Sequence, residues 1–198
     1  MQGYSPAADN NKSAILSVLS HYLSAGDHVF EIGSGSGQHA IHMSASLPKI
    51  QWQPSDRKAT LPLLSSNIRE YGSPNLLPPI ELDLAEPPQP PPMAVQCVYA
   101  ANVMHIVKEP LGAELIRWAA RALVESGYLI LYGPYRYNGK FTTESNKEFD
   151  LWLKARDPES GIRDFESVCE LATELGLSLV KDHVMPANNQ CLAFQKGD

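Results

Sequence analysis

The sequence predicts an α/β domain built on a mostly parallel, seven-stranded sheet with helices on both faces and an antiparallel strand at its end. Three observations lead there. From His28 to Tyr132, apolar runs without helical period alternate with stretches of helical period, which is the rhythm of strands joined by crossover helices. The first run stops at Gly33-Ser34-Gly35-Ser36-Gly37 and hands over to a helix, the opening half of a βαβ unit. Near the end of the chain only Met185 to Gln190 separate two apolar runs. That is too short for a crossover helix, so the pair is antiparallel.

The elements follow in order. Ile15, Leu16, Val18, Leu19 and Leu23 share one face of a helix over Ser13 to Leu23, with Gly26 beyond it as a stop. Strands are expected at His28 to Ile32, Ile50 to Gln53, at the end of Pro74 to Leu82, at Val95 to Ala101 and at Tyr128 to Tyr132. Between them fall helices over Gln38 to Ser46, Thr60 to Tyr71 and Leu111 to Val124, the last closed by Gly127. A helix over Phe165 to Leu175 and strands over Leu177 to Val184 and Cys191 to Phe194 complete the chain. Eight of the 16 prolines lie between Pro74 and Pro92, and Pro87-Pro88-Gln89-Pro90-Pro91-Pro92 reads as a stiff surface connector inside the domain.

Composition narrows the function. With 198 residues, 43% hydrophobic, the chain has the size and core of one domain over 1–198. Sixteen basic against 22 acidic residues give a net charge of −6, which disfavours a nucleic-acid partner. The opening MQGYSPAADNNK lacks the layout of a signal peptide and no apolar run approaches a membrane span, so a soluble, cytoplasmic protein is expected. Cys97, Cys169 and Cys191 are odd in number and widely spaced, and His39 and His42 have no third ligand nearby. No metal is expected.

A strand that ends on glycines leaves backbone N–H groups open to a polar or anionic ligand. Gly35-Ser36-Gly37-Gln38-His39-Ala40 fits the dinucleotide form G-x-G-x-x-A, with Asp56 about twenty residues on. With Glu31 in front, Glu31-Ile32-Gly33-Ser34-Gly35-Ser36-Gly37 resembles the first motif of class I S-adenosylmethionine-dependent methyltransferases. The resemblance implies that Glu31, Gly33, Ser34, Gly35 and Gly37 cradle that cofactor and that Asp56 holds its ribose diol. It further implies that Asp83 and Leu84 meet the adenine and that Asn102 lies on the same carboxyl edge of the sheet, the edge where open α/β folds bind ligands. S-adenosylhomocysteine would be the product. The reversed last strand is a further mark of that sheet.

More specific strings resemble the methyltransferase-like 26 family nearly end to end. They are Ser5-Pro6-Ala7-Ala8, Trp52-Gln53-Pro54-Ser55-Asp56, Asn102-Val103-Met104-His105, Tyr132-Gly133-Pro134-Tyr135 and Met185-Pro186-Ala187-Asn188-Asn189. The chain departs from that pattern at Asp9-Asn10, where the family carries Glu-Arg.

On the substrate side, Gly133 to Asp164 forms an insertion of lid or pocket-wall type. Tyr135, Asn138 and Arg156 are read as facing the acceptor, with Asn188 and Asn189 reaching it from the last turn. Phe149, Trp152 and Leu153 are read as the inner face of a helix over Ser145 to Ala155. Methyl transfer needs chiefly alignment and exclusion of water. His105, by its ordinary pKa near 6.5, is the candidate general base, with Tyr135 as a second catalytic candidate. The acceptor is a small molecule or a protein side chain, and the oligomeric state is left open. Two other functions stay open: a cofactor-binding protein without transferase activity that acts through partners, and an NAD(P)-binding oxidoreductase. The latter lacks the Tyr-x-x-x-Lys pair of the short-chain type.

Overall fold

The computed structural model describes residues 1–86 and 94–197; the proline connector expected at 87–92 lies outside them. The elements run α1 Pro6–Leu19, β1 His28–Ile32, α2 Gln38–Ser46, β2 Gln51–Asp56, α3 Leu61–Tyr71, β3 Ile80–Glu81, β4 Val95–Ala101, α4 Glu109–Ala122 and β5 Leu123–Gly133. They continue as β6 Tyr135–Tyr137, β7 Lys140–Phe141, α5 Glu144–Arg156, β8 Arg163–Asp164, α6 Phe165–Glu174, β9 Leu177–Met185 and β10 Asn189–Lys196. A seven-stranded sheet has the order β3-β2-β1-β4-β5-β10-β9. Its first five strands are parallel, and β10 lies antiparallel between β5 and β9.

Alternation along the strands divides the core in two. On one face Phe30, Ile32, Val98, Leu129 and Leu131 meet α4 and α6, and the Phe30 ring lies 4.5 Å from that of Trp118. On the other, Val29, Cys97, Tyr99, Ile130 and Tyr132 meet Ile15 and Leu19 of α1 and Ala40 and Met43 of α2. The expected fold class holds. It is a Rossmann-like sheet covered on both sides, and among the described residues no helix is long and apolar enough to cross a membrane.

The differences from expectation have local causes. The first helix starts seven residues early because Ser5 caps it, its Oγ accepting from Ala8 N, and Pro6 fills the first turn. Its polar first turns hid this from a reading of apolar period. The second strand runs on through Pro54 to Asp56, since β3 pairs with it only from Ser55. Helix α4 ends at Ala122 without waiting for Gly127, because Leu123 already pairs with Val95. The register then shifts, and Ser126 takes a φ of 61° before Tyr128 resumes the ladder. The insertion carries a small second sheet of order β7-β6-β8, a hairpin turned at Asn138-Gly139 and joined by Arg163 and Asp164. Strands of two or three residues have no period to read.

Candidate functional site

Strands β1, β2 and β4 end side by side, and the site grows from how each leaves the sheet. At the end of β1, Gly33 takes a φ of 74°. A Cβ there would stand 2.7 Å from Val103 Cγ2, so the glycine is demanded by close approach as well as by the left-handed backbone. Its N–H and that of Ser34 both donate to Ser55 O, at 3.0 and 2.9 Å. Gly35 N donates to Asp56 Oδ2 at 2.7 Å, which ties the loop to the end of β2. Gly37, the N-cap of α2, packs against Leu64. Asn67 clamps the loop from outside, its Nδ2 donating to Ser36 O at 2.8 Å and to Gln2 O at 2.9 Å.

A cavity of about 400 Å³ opens beside this loop, walled by Gly33, Asp56, Arg57, Asp83, Leu84 and Asn102, with Leu82, Val103 and Ile106 as apolar surface. Five of the nine residues expected at the cofactor therefore share one cleft. Ser34, Gly35 and Gly37 shape the loop; the Ser34 Oγ is taken by Ser55 N at 3.2 Å. Glu31 stands behind it, 2% exposed, with Oε2 accepting from Trp52 Nε1 at 2.9 Å. The sequence reading missed Arg57, Lys108 and Leu111 in this wall; Arg57 follows Asp56 directly, but a cation in a loop carries no signal by itself.

A second cavity of about 410 Å³ lies on the other side of Asn102, between α1, α5 and the turn after β9. Asn102, with a φ of 57°, lines both. Of the residues expected on the acceptor side, Asn189 lines this cleft. Asn188 braces the turn instead, its O accepting from Asn146 Nδ2 at 3.0 Å and its Nδ2 donating to Ser145 Oγ at 3.2 Å. Asn10, Asn11, Tyr132, Asn146 and Phe149 were not read as site residues. Asn10-Asn11 in an otherwise ordinary helix start was the one available signal.

Three expectations for the insertion are corrected. Tyr135 is 1% exposed and belongs to the apolar core under α4 and α6, so it faces neither cleft. Asn138 sits exposed at the tip of the β6–β7 hairpin, where its N–H donates to Glu166 Oε1 at 3.0 Å. Arg156 lies on the outer face of α5, its guanidinium 4.6 Å from the Trp152 ring centroid. Its length let it stack on an exposed aromatic, which is favourable where water covers both. Of the predicted inner face of α5, Leu153 is buried, Phe149 reaches the second cleft, and Trp152 is 50% exposed.

His105 is 3% exposed beside the rim of that cleft. Its ring meets Phe149 edge-on at 5.4 Å, and a Cβ on Gly133 would come within 3.1 Å of its Nδ1. Among the described residues Nδ1 has no partner. Burial, helped by Arg163, pulls its pKa down to about 4, so the ring is neutral at pH 7. Among the described residues no group of three or more His, Cys, Asp and Glu could hold a metal ion.

Burial acts on Glu31 in the opposite sense, raising its pKa to about 7 against the hydrogen bonds from Trp52 and Ser34 that lower it. Between the ordinary value of 4.5 and about 7 the folded state holds the extra proton, so stability contributed by Glu31 is lost as pH rises through that window. Glu31→Gln keeps an oxygen for Trp52 and removes the titration. In urea unfolding at pH 5 and pH 8, we expect the wild type to lose stability relative to Glu31→Gln on going to pH 8; an unchanged difference would show that Glu31 is ionised throughout.

The comparisons agree with this architecture. An O-methyltransferase family 2 protein from Planctomyces limnophilus, solved in complex with apigenin, superimposes with a TM-score of 0.80 at 18% identity, over 96% of this chain and 58% of that one. An O-methyltransferase family protein from Burkholderia thailandensis gives a TM-score of 0.81 at 15% identity, over 94% and 56%. NcsB1, an O-methyltransferase from neocarzinostatin biosynthesis solved with S-adenosylmethionine and 2-hydroxy-5-methyl naphthoic acid, gives 0.77 at 14%, over 96% and 54%. The chain thus spans somewhat more than half the length of these structures, whose likeness is one of fold. At the level of sequence, a family model covers residues 2–196, and the chain belongs to the family described as Protein of unknown function (DUF938).

Proposed function

We propose that this chain is an S-adenosylmethionine-dependent methyltransferase of the methyltransferase-like 26 kind, acting in the cytoplasm on a small-molecule or protein acceptor. The observation that carries the reading is the pair of clefts sharing Asn102 on the carboxyl edge of the sheet. One is suited to the cofactor and one to the acceptor, with insertion 133–164 supplying part of the acceptor wall. The fold neighbours, one of them bound to S-adenosylmethionine and an aromatic acid, support it.

The residues of the first cleft fit the cofactor. Asp56 accepts from Gly35 N and, through Oδ1, from Arg57 N; each oxygen keeps a second lone pair for a ribose hydroxyl. Leu82, Leu84 and Val103 give the apolar surface a purine needs, and Gly33 leaves backbone exposed without a side chain in the way. Asp83 Oδ1 holds Ala85 N at 3.0 Å, which fixes the carboxylate toward the adenine end. The bound cofactor supplies an electrophilic methyl group on its sulfonium. This chain's part is to hold the acceptor across Asn102 and exclude water with Phe149 and Ile106; His105, whose unpartnered Nδ1 lies behind Phe149, takes the acceptor proton once that ring moves aside. One observation favours the alternative of cofactor binding without transfer: His105 is sealed behind Phe149.

Calorimetric titration of the wild type with S-adenosylmethionine should show binding, and Asp56→Ala should weaken it about 10- to 100-fold, the worth of charged hydrogen bonds of roughly 1.5–3 kcal/mol. Equal affinity would remove Asp56 from the cofactor site. For the first acceptor that supports release of S-adenosylhomocysteine, His105→Ala should lower turnover by about 10²- to 10⁴-fold with cofactor affinity intact. Because the base must be unprotonated and its pKa is held near about 4, kcat/KM should be flat from pH 8 down to pH 5. A fall centred on the ordinary histidine value, or an active His105→Ala, would exclude His105 as the base and favour the alternative.

A further inference from the structure

The acceptor cleft has a lining with one chemical character. Asn10, Asn11, Asn102, Asn146 and Asn189 bring carboxamides to it, Tyr132 a phenol and Phe149 an aromatic face, and among the described residues none in its wall carries a charge. The polarity of several of these groups is fixed by what lies behind them. Asn146 Nδ2 donates to Thr142 Oγ1 at 2.9 Å and to Asn188 O at 3.0 Å. Asn189 Nδ2 donates to Pro186 O at 3.2 Å and Ala187 O at 3.1 Å. Their donor ends are engaged with the chain, which leaves the carbonyl oxygens to face a ligand.

A buried chain of hydrogen bonds sets the direction at Asn11. Tyr99 is fully buried against Trp52, and its hydroxyl lies 3.2 Å from His39 Nδ1. Burial holds the Tyr99 phenol protonated and takes His39 down to about 4, so the phenol donates and Nδ1 of a neutral ring accepts. The ring proton is then on Nε2, which donates to Asn11 Oδ1 at 2.7 Å. That fixes the Asn11 amide with its nitrogen, the donor end, turned away from His39, in the cleft wall that Asn11 shares with Tyr132. Burial holds the Tyr132 phenol protonated, so from its place in the wall it has a proton to donate to the cleft.

Resting on the methyltransferase reading, we infer that the acceptor is an uncharged small molecule with a flat apolar part for Phe149, a hydrogen-bond acceptor for Tyr132, and hydroxyl or amide donors for Asn146 and Asn189. Tyr132 is its specificity-determining donor, beside an Asn11 amide whose orientation is set through Tyr99 and His39. A carboxylate, phosphate or ammonium entering this wall loses hydration and finds no counter-charge, whereas neutral polar groups find partners of the right sense. The available volume of about 410 Å³ is that of a small-molecule pocket and not of a peptide groove.

The test uses three probes on one ring, 3-hydroxybenzamide, 3-hydroxybenzoate and 3-hydroxybenzylamine, titrated into the full chain with and without S-adenosylhomocysteine and followed by amide NMR shifts. The neutral amide is expected to move Asn146 and Asn189 and to bind at least tenfold more tightly than either charged probe. Tyr132→Phe, which preserves the ring, should weaken the amide probe at least tenfold while its fold, read by the same spectrum, is unchanged. Asn11→Asp should do likewise by drawing the Tyr132 proton away from the cleft, with Asn11→Gln as the uncharged control. Equal or tighter binding of a charged probe, unchanged affinity in Tyr132→Phe, or no binding of the amide probe overturns the inference. Failure of S-adenosylhomocysteine to bind, with the probe preference intact, overturns instead the methyltransferase reading.

Discussion

The packing of Gly33 beneath Val103 is the contact on which the geometry of the site depends. A parallel sheet of this kind must turn its first strand outward at the carboxyl edge, and here the turn runs so close to the β4 exit that a single Cβ would overlap Val103 Cγ2 at 2.7 Å. The left-handed backbone at Gly33 and at Asn102 lets both chains leave the sheet side by side. The gap between their exits becomes the first cleft. Asn102, carried past it by its own turn, becomes the partition between the two cavities.

Behind that edge burial biases the ionisable groups toward their neutral forms. Glu31 is raised to about 7, and His39 and His105 are lowered to about 4, all by removal from water. The two neutral histidines act as directional hydrogen-bonding parts, since each has one donor and one acceptor nitrogen and no charge to neutralise. Glu31 and Trp52 fasten β1 to β2 under the glycine loop. His39 fastens α2 to α1 through Asn11, so the helix that roofs the second cleft is held to the one that begins at the glycine loop. The first five residues join the same assembly, with Ser5 N donating to Gln38 Oε1 and Gln38 Nε2 donating back to Ser5 O.

Most of the sheet was legible because its strands are apolar on both faces and long enough to register. The strands His28–Ile32 and Val95–Ala101 and the helix Gln38–Ser46 end where pattern and turn residues place them. The antiparallel close followed from a connection too short for a crossover. The residues that wall the first cleft were legible too, because glycines and acids at strand ends are local signals. The second cleft was not. Tyr135 reads like any tyrosine at a strand end, and only the stacking of α4 and α6 over it shows that it faces the core. Tyr132 occupies an apolar strand and reads as core, yet it stands in the wall of the second cleft beside Asn11. The amides of Asn10, Asn146 and Asn189 come together from three segments far apart in sequence, and nothing local in any of them announces the others.

The central claim is that cofactor and acceptor occupy adjoining cavities with Asn102 between them. Interligand NOEs measured on the chain with S-adenosylhomocysteine and 3-hydroxybenzamide together test it most directly. The account predicts cross-peaks between the probe ring and the methylene protons flanking the cofactor's sulfur. Cross-peaks confined to the adenine, or simultaneous binding of both molecules with none at all, would contradict it.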